Sequence, residues 1–339
     1  MASGAEIATA ARRVFPAFAA RLAGRADEVS AALASELHLA LWDREQLIGA
    51  MQARLVAMVS ATVRVATNTD GARVIELRAQ PLEAIEVAWE CLLAGRPVRF
   101  AAEPGACSAT ASLVADMVSL LPAGTIVTEG DDAWPTVGVL PAAPRIAWVD
   151  RAADRELAAY SLARTCLRRS GMDPRAVRIA CVIGPTDLLA RHMKRLWVGA
   201  QLGPASDPES FAGPVDVATA DAFVAAQTAW LAEPRAQAWC TGGPLEHGAA
   251  GPFVAPAAFA VDWPVPDLPL VGPMCCVVRC TEAQAREMIA SATAGGAAVV
   301  QIGGREFTDV PQTHGGLKHI RGAVLVERLP PGLPEPRPA

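Results

Sequence analysis

Lysine is almost missing from this chain. Among 339 residues only Lys194 and Lys318 carry an ammonium group, so nearly all positive charge is arginine. There is one tyrosine, charged residues make up 19%, and the formal net charge is -5. No run of basic residues occurs, which removes the electrostatic footprint of a nucleic-acid binder. Long apolar runs are also lacking at the start, where "MASGAEIATAARRVFPAFAARLAG" is broken by arginines. Such a stretch offers neither a signal-peptide core nor a spanning helix, so the expectation is a cytoplasmic protein with no membrane attachment.

A disulfide or zinc framework is lacking as well. The eight cysteines, at positions 91, 107, 166, 181, 240, 275, 276 and 280, fall mostly inside apolar segments. That placement suits reduced, buried small hydrophobes. No Cys/His grouping has structural zinc spacing, and His314 and His319 lie five apart without cysteines nearby, so no metal is expected.

What is present is core-forming material, 52% hydrophobic, in a chain long enough for about two domains. Residues 5 to 61 carry apolar positions at helical spacing, and "DREQ" offers Asp43 as a cap with Gln46 reaching back. "TVRVATNTDGARVIEL" alternates around Asp70-Gly71, which predicts a β-hairpin. From Pro81 helices and strands take turns, the pattern of parallel βαβ units covered on both faces. "DDAWPTVGVLPAAP" interrupts them as a Pro-rich break, after which "RIAWVD", a helix over 154 to 169 and "AVRIACV" resume the alternation. The expected organisation is a helical lead-in, hairpin arm and α/β domain over 1 to 143, a second α/β domain over 144 to 329, and a Pro-rich tail over 330 to 339.

Several of these pieces, in order, resemble the aldehyde dehydrogenase superfamily. "PLEAIEVAWECLLAGRPVRF" and "LPAGTIVTEG" are similar to the helix, glycine and strand that enter its cofactor domain. "RLWVGAQLGPASDPESFAGPVDVATADAFVAAQTAWLAE" is the most specific match, through Val198-Gly199, Asp207-Pro208 and Gly213-Pro214-Val215. "CTGGPLEHGAAGPFVAPAAF" and "LPLVGPMCCVV" resemble its glycine pair, its Gly-x-Phe-x-x-Pro strand and its Phe-Gly-Pro-Val turn, here Val271-Gly272-Pro273-Met274. The resemblance implies two parallel-sheet α/β domains, oligomerisation, and oxidation or reduction of aldehyde-level carbon with NAD or NADP and a cysteine nucleophile. It also likens the hairpin stretch to the family's protruding oligomerisation arm.

The chemistry does not carry over with the pattern. In the family the turn between helix and strand reads roughly Asn-x-Gly-Gln-x-Cys, setting a thiolate beside an oxyanion donor. In "CLRRSGMDPRAVRIACV", Gly171 aligned puts Arg169 at the asparagine, Met172 at the glutamine and Pro174 at the cysteine. A one-residue slip puts Asp173 there instead. The glutamate base of the Glu-Leu-Gly-Gly segment and the Gly-Ser turn before it have no counterpart in the Pro-rich break. No lysine stands near 101 to 103 for the cofactor ribose, and Leu268-Pro269 replaces its glutamate ligand.

Two other cysteines invite a catalytic reading. Cys166, among Arg164, Arg168 and Arg169, is a displaced nucleophile or a buried helix residue; Cys107 opens a helix near Ser108 as a thiolate or as an incidental capping residue. "IGGRE" and "THGGLKHIRG" lack the strand-loop-helix order of phosphate loops and read as surface turns. The late loop Gly-Gly-x-Lys-x-Ser-Gly is left unmatched, with "RGAVLVERLPPG" placed as the strand before it. The expectation is therefore a catalytically inactive aldehyde dehydrogenase-like protein with no catalytic, cofactor-binding or metal residues. Its role would be as a homo-oligomer or as a partner or scaffold subunit of a full-length aldehyde dehydrogenase. The alternatives are an active NAD(P)-dependent oxidoreductase using Cys166, and a small-molecule binding protein on the same fold.

Overall fold

The structure, a computed structural model, describes residues 3–60, 71–76, 80–102, 104–127, 134–136, 145–174, 176–246, 251–294, 297–303 and 325–327. The chain divides into two compact units, one taking in Met1–Leu37 and Trp42–Ala142, the other His38–Leu41 and Ala143–Pro331. Among the described residues no helix is long and apolar enough to cross a membrane.

The first unit opens with helices α1 (Gly4–Gly24), α2 (Ala26–Leu37) and α3 (Leu41–Ser60). A capping box starts α1: the Glu6 carboxylate accepts from the Ser3 backbone at 2.7 Å, and the Ser3 hydroxyl accepts from the Glu6 backbone at 3.4 Å. Two otherwise orphaned donors are satisfied by this exchange. Asp43 does not cap α3 as expected, because the helix begins two residues earlier and Asp43 lies buried in its first turn.

A parallel sheet follows, in the order β1 (Ala72–Glu76), β2 (Val98–Ala102), β3 (Ile126–Val127), with α4 (Glu83–Leu93) and α5 (Ser108–Leu120) as its connections. Of the stretch expected to form a hairpin, residues 71 to 76 are among those described. Residues 72 to 76 run parallel to β2, from Ala72 opposite Val98 to Glu76 opposite Ala102. Ala72, Val74 and Glu76 are the buried positions of this strand, so it is an integral part of the sheet. Residues 62 to 70 lie outside the described residues. The Pro-rich break also contributes to this sheet, since Thr136 bridges to Arg73 of β1 and the Arg73 amide donates to the Pro135 carbonyl at 3.0 Å.

Aromatic packing fastens α1 to the α/β layer. Trp89 of α4 is fully buried, with Phe15 edge-on at 4.9 Å and Phe18 tilted at 5.0 Å. Each such contact adds about 1 kcal/mol beyond the area it buries.

The second unit is a seven-stranded sheet in the order β12-β11-β4-β5-β10-β9-β6. Its strands are β4 (Arg145–Val149), β5 (Val177–Ile183), β6 (Gln237–Cys240), β9 (Ala257–Asp262), β10 (Met274–Cys280), β11 (Ala298–Ile302) and β12 (Leu325–Glu327). The five inner strands are mutually parallel, and β6 and β12 run antiparallel at the two edges. Helices α6 (Arg155–Leu167) and α7 (Asp187–Val198) cover one face through Leu162, Cys166, Met193 and Trp197. Helices α8 (Val217–Ala232) and α9 (Glu282–Ala294) supply Phe223, Trp230 and Ile289 to the core clusters on the other. A separate two-stranded ribbon joins β7 (Gly243–Glu246) to β8 (Pro252–Ala255). Helix α8 begins at Val217, where Asp216 accepts from the Thr219 amide at 2.7 Å and caps it.

Trp89→Ala removes the ring on which both phenylalanines rest. The variant is expected to lose about 3–5 kcal/mol in urea unfolding of the first unit; a loss under 1 kcal/mol would show that α1 is held by something else.

Candidate functional site

The turn that the sequence marks as the nucleophile position lies between α6 and β5. Asp154 caps α6 by accepting from the Glu156 and Leu157 amides, and the helix runs to Leu167 before tightening into a 3-10 turn over Arg168–Gly171. Arg169, Ser170 and Gly171 all have positive φ, at 50°, 55° and 81°. For the two non-glycine residues this costs about 1–2 kcal/mol each, so the surroundings must impose it.

They do so by close approach. A Cβ on Gly171 would stand 2.2 Å from the Pro273 nitrogen, so this turn is pressed directly onto the Val271-Gly272-Pro273 turn. The Ser170 hydroxyl donates to the Gly213 carbonyl at 2.9 Å. Gly213 is itself confined, since a Cβ there would meet the His38 carbonyl oxygen at 1.9 Å.

Arg178 ties these turns together, and the sequence reading missed it. The pairing of β4 with β5 jumps from Arg145 opposite Val177 to Ile146 opposite Ile179, leaving Arg178 as the extra residue of a bulge. A bulge re-aims the side chain it carries. The Arg178 guanidinium accordingly donates to the Gly171 carbonyl at 2.6 Å and to the Gly272 carbonyl. An arginine between Val177 and Ile179 in an otherwise apolar strand was the available signal.

This turn carries no cysteine. Asp173 is buried and sits 3.3 Å from Arg168 in an ion pair, Met172 is exposed, and Pro174 is half-buried. The turn can hold a charge pair and a backbone clamp; it offers no thiol and no free amide side chain.

Cys166 lies one turn earlier, wholly enclosed in the core between α6 and the sheet. Burial pushes its thiol up to about 12, and the nearby Arg178 charge only partly opposes that. Cys107 precedes α5 in the first unit, also buried, its thiol pushed up to about 11 by burial and by Glu36 and Glu76. Those two carboxylates already occupy the amino end of α5: Glu76 accepts from the Cys107 amide at 3.0 Å and Glu36 from the Ser108 amide at 2.8 Å. Neither cysteine is poised as a thiolate at neutral pH.

The remaining sequence candidates scatter. Ala101 and Ala102 end β2, and the Pro269 carbonyl accepts from the Trp230 indole at 2.9 Å. His314, His319 and the loops from Gly304 to Gly322 lie outside the described residues. Among the described residues no group of three metal-ligating side chains comes together.

No protein-family model and no curated protein matches the chain. Solved structures do match. A methylmalonate-semialdehyde dehydrogenase from Oceanimonas doudoroffii superposes with a TM-score of 0.70 at 16% identity, over 86% of this chain and 76% of that one. An NAD-dependent benzaldehyde dehydrogenase from Corynebacterium glutamicum gives 0.67 at 16%, over 87% and 75%. Aldehyde dehydrogenase 21 from Physcomitrella patens, solved with the reaction product succinate, gives 0.67 at 12%, over 83% and 70%.

The raised thiol of Cys166 has a measurable pH consequence. An unfolded cysteine ionises near pH ~8.5, so this group stabilises the fold fully below that pH and the contribution is lost as pH rises toward about 12. Iodoacetamide at pH 8 is expected to label native Cys166 roughly a thousandfold more slowly than in urea. Comparable rates in the two states would show the thiol to be accessible and ionised.

Proposed function

We propose, from the aldehyde dehydrogenase fold that this chain carries, that it serves as a non-catalytic partner or scaffold subunit. The observation that carries this reading is the Arg168–Pro174 turn. Where aldehyde chemistry needs a thiolate beside a donor, this turn has a buried Arg168–Asp173 ion pair and backbone held by Arg178. The nearest thiol, Cys166, is sealed in the core and protonated. Rebuilding the turn alone cannot restore a mechanism that also needs a base and a cofactor site.

A surface for assembly supports the same reading. Helix α8 has a single charged residue, Asp221, yet a stripe of it faces outward: Val217, Val224 and Leu231, seven residues apart, are 64%, 39% and 54% exposed. Helices apolar all round are ordinarily covered on all sides. With only Asp221 and Thr228 as exposed polar residues between its larger apolar ones, this stripe is one that a second copy of the chain could cover, and a second copy is the occupant we assign to it.

The purified chain is expected to give no NAD- or NADP-dependent oxidation of aliphatic or aromatic aldehydes, and Pro174→Cys is expected to leave it inactive. Turnover that disappears in Cys166→Ala would overturn the reading. For assembly, light scattering is expected to report an oligomer that becomes a monomer when Val224 and Leu231 are both changed to glutamate. A wild-type chain that is strictly monomeric would remove α8 as an interface.

A further inference from the structure

β1 stands at one end of the first sheet's strand order, and a piece of the Pro-rich break lies along it. The Ala72 amide donates to the Pro97 carbonyl at 2.8 Å, and the next amide, that of Arg73, donates to the Pro135 carbonyl at 3.0 Å. Successive amides of a strand point opposite ways, so residues 134 to 136 run on the side of β1 away from β2. Thr136 is in parallel register with Arg73 there.

A ring on a glycine anchors this segment. A Cβ on Gly71 would run into Cδ2, Cε2 and Cε3 of Trp134, so the indole lies directly over the Gly71 backbone. Gly71 is buried beneath it, Trp134 is half-buried, and Pro135 and Thr136 are exposed. The ladder cannot continue back past Pro135, which has no N–H to give to the Gly71 carbonyl. The Arg96 guanidinium donates to that carbonyl instead, at 3.3 Å. The segment is thus attached through a backbone hydrogen bond and a stacked ring, and it can lift without disturbing the pairing of β1 with β2.

We propose that residues 134 to 136 are an autoinhibitory strap: seated, it keeps β1 from pairing with another chain, and lifted, it lets β1 of a second copy add to the sheet. A strand at the end of a sheet needs a proline, a bulge or a cover against such pairing. β1 contains no proline, and its register with β2 runs unbroken from Ala72 to Glu76, so the cover has to come from the strap. A second copy fits the uncovered strand because antiparallel pairing about a two-fold axis satisfies both strands with one surface. With the axis at Val74, Arg73 of one copy falls opposite Ile75 of the other, and no like charges meet across the pair.

The test uses the full chain carrying Val224→Glu and Leu231→Glu, so that pairing through α8 does not enter: this parent reports on α8, and the change made on top of it reports on the strap. Trp134→Ala is expected to double the parent's mass in light scattering, as a two-fold pair requires. Trp134→Phe, which keeps a ring over Gly71, is expected to leave the mass unchanged, and Gly71→Ala should act like Trp134→Ala because its Cβ displaces the indole. The combined variant Gly71→Cys, Trp134→Cys separates opening from unfolding in a single chain. Oxidised, its strap is tied and the parent's mass is expected; dithiothreitol should double it and reoxidation should reverse the change. Trp134→Ala at the mass of the parent overturns the proposal, and so does association that the oxidised cysteine pair fails to prevent.

Discussion

A parallel strand in the middle of a sheet has to be covered on both faces, and the second unit depends on that constraint. Strands β5 and β10 lie at its centre, and their near-continuous burial is supplied by α6 and α7 on one side and by α8 and α9 on the other. Once both strands run the same way, the turns that precede them fall at the same end of the sheet. The Gly171 turn and the Gly272–Pro273 turn meet there, so closely that neither backbone leaves room for a side chain at Gly171.

Where the two turns meet, the Gly272 carbonyl accepts from the Met274 amide as well as from Arg178, and the Gly171 carbonyl accepts from Arg178. A buried acceptor left unsatisfied costs more than a typical hydrogen bond gains. Arg178 resolves this by standing in a bulge, where its guanidinium serves both turns, while Ser170 serves the Gly213 carbonyl of a third. The space beside β5 is taken by a structural cation and an Arg168–Asp173 pair.

Burial also sorts the thiols. Cys166, Cys275 and Cys276 have only apolar neighbours or a distant arginine to set against desolvation, and their ionisation is pushed upward. Cys280 differs in position: the strand carries it to the end of β10, where it is only partly covered. The surface of α8 is sorted the same way, its Phe223 and Trp230 facing the sheet while Val217, Val224 and Leu231 are left to solvent.

The alternation of helix and strand from Pro81 onward was legible in the sequence, because parallel strands covered on both faces must be written as short apolar runs between amphipathic or apolar helices. So was the core position of Cys166, which follows from helical spacing. Other features depended on partners distant in sequence. Alternation in "ARVIEL" suits a hairpin strand and a parallel strand equally, and only the covering of Ala72, Val74 and Glu76 decided for β2 as its neighbour. Asp43 had the spacing of a cap, but the helix extended past it because Leu41 and Trp42 could join the first turn. The position of Arg178 and the pairing of β5 with β10 arise from a bulge and from strand register, and register is set by which faces of β4, β5 and β10 are buried together, information that no single segment contains.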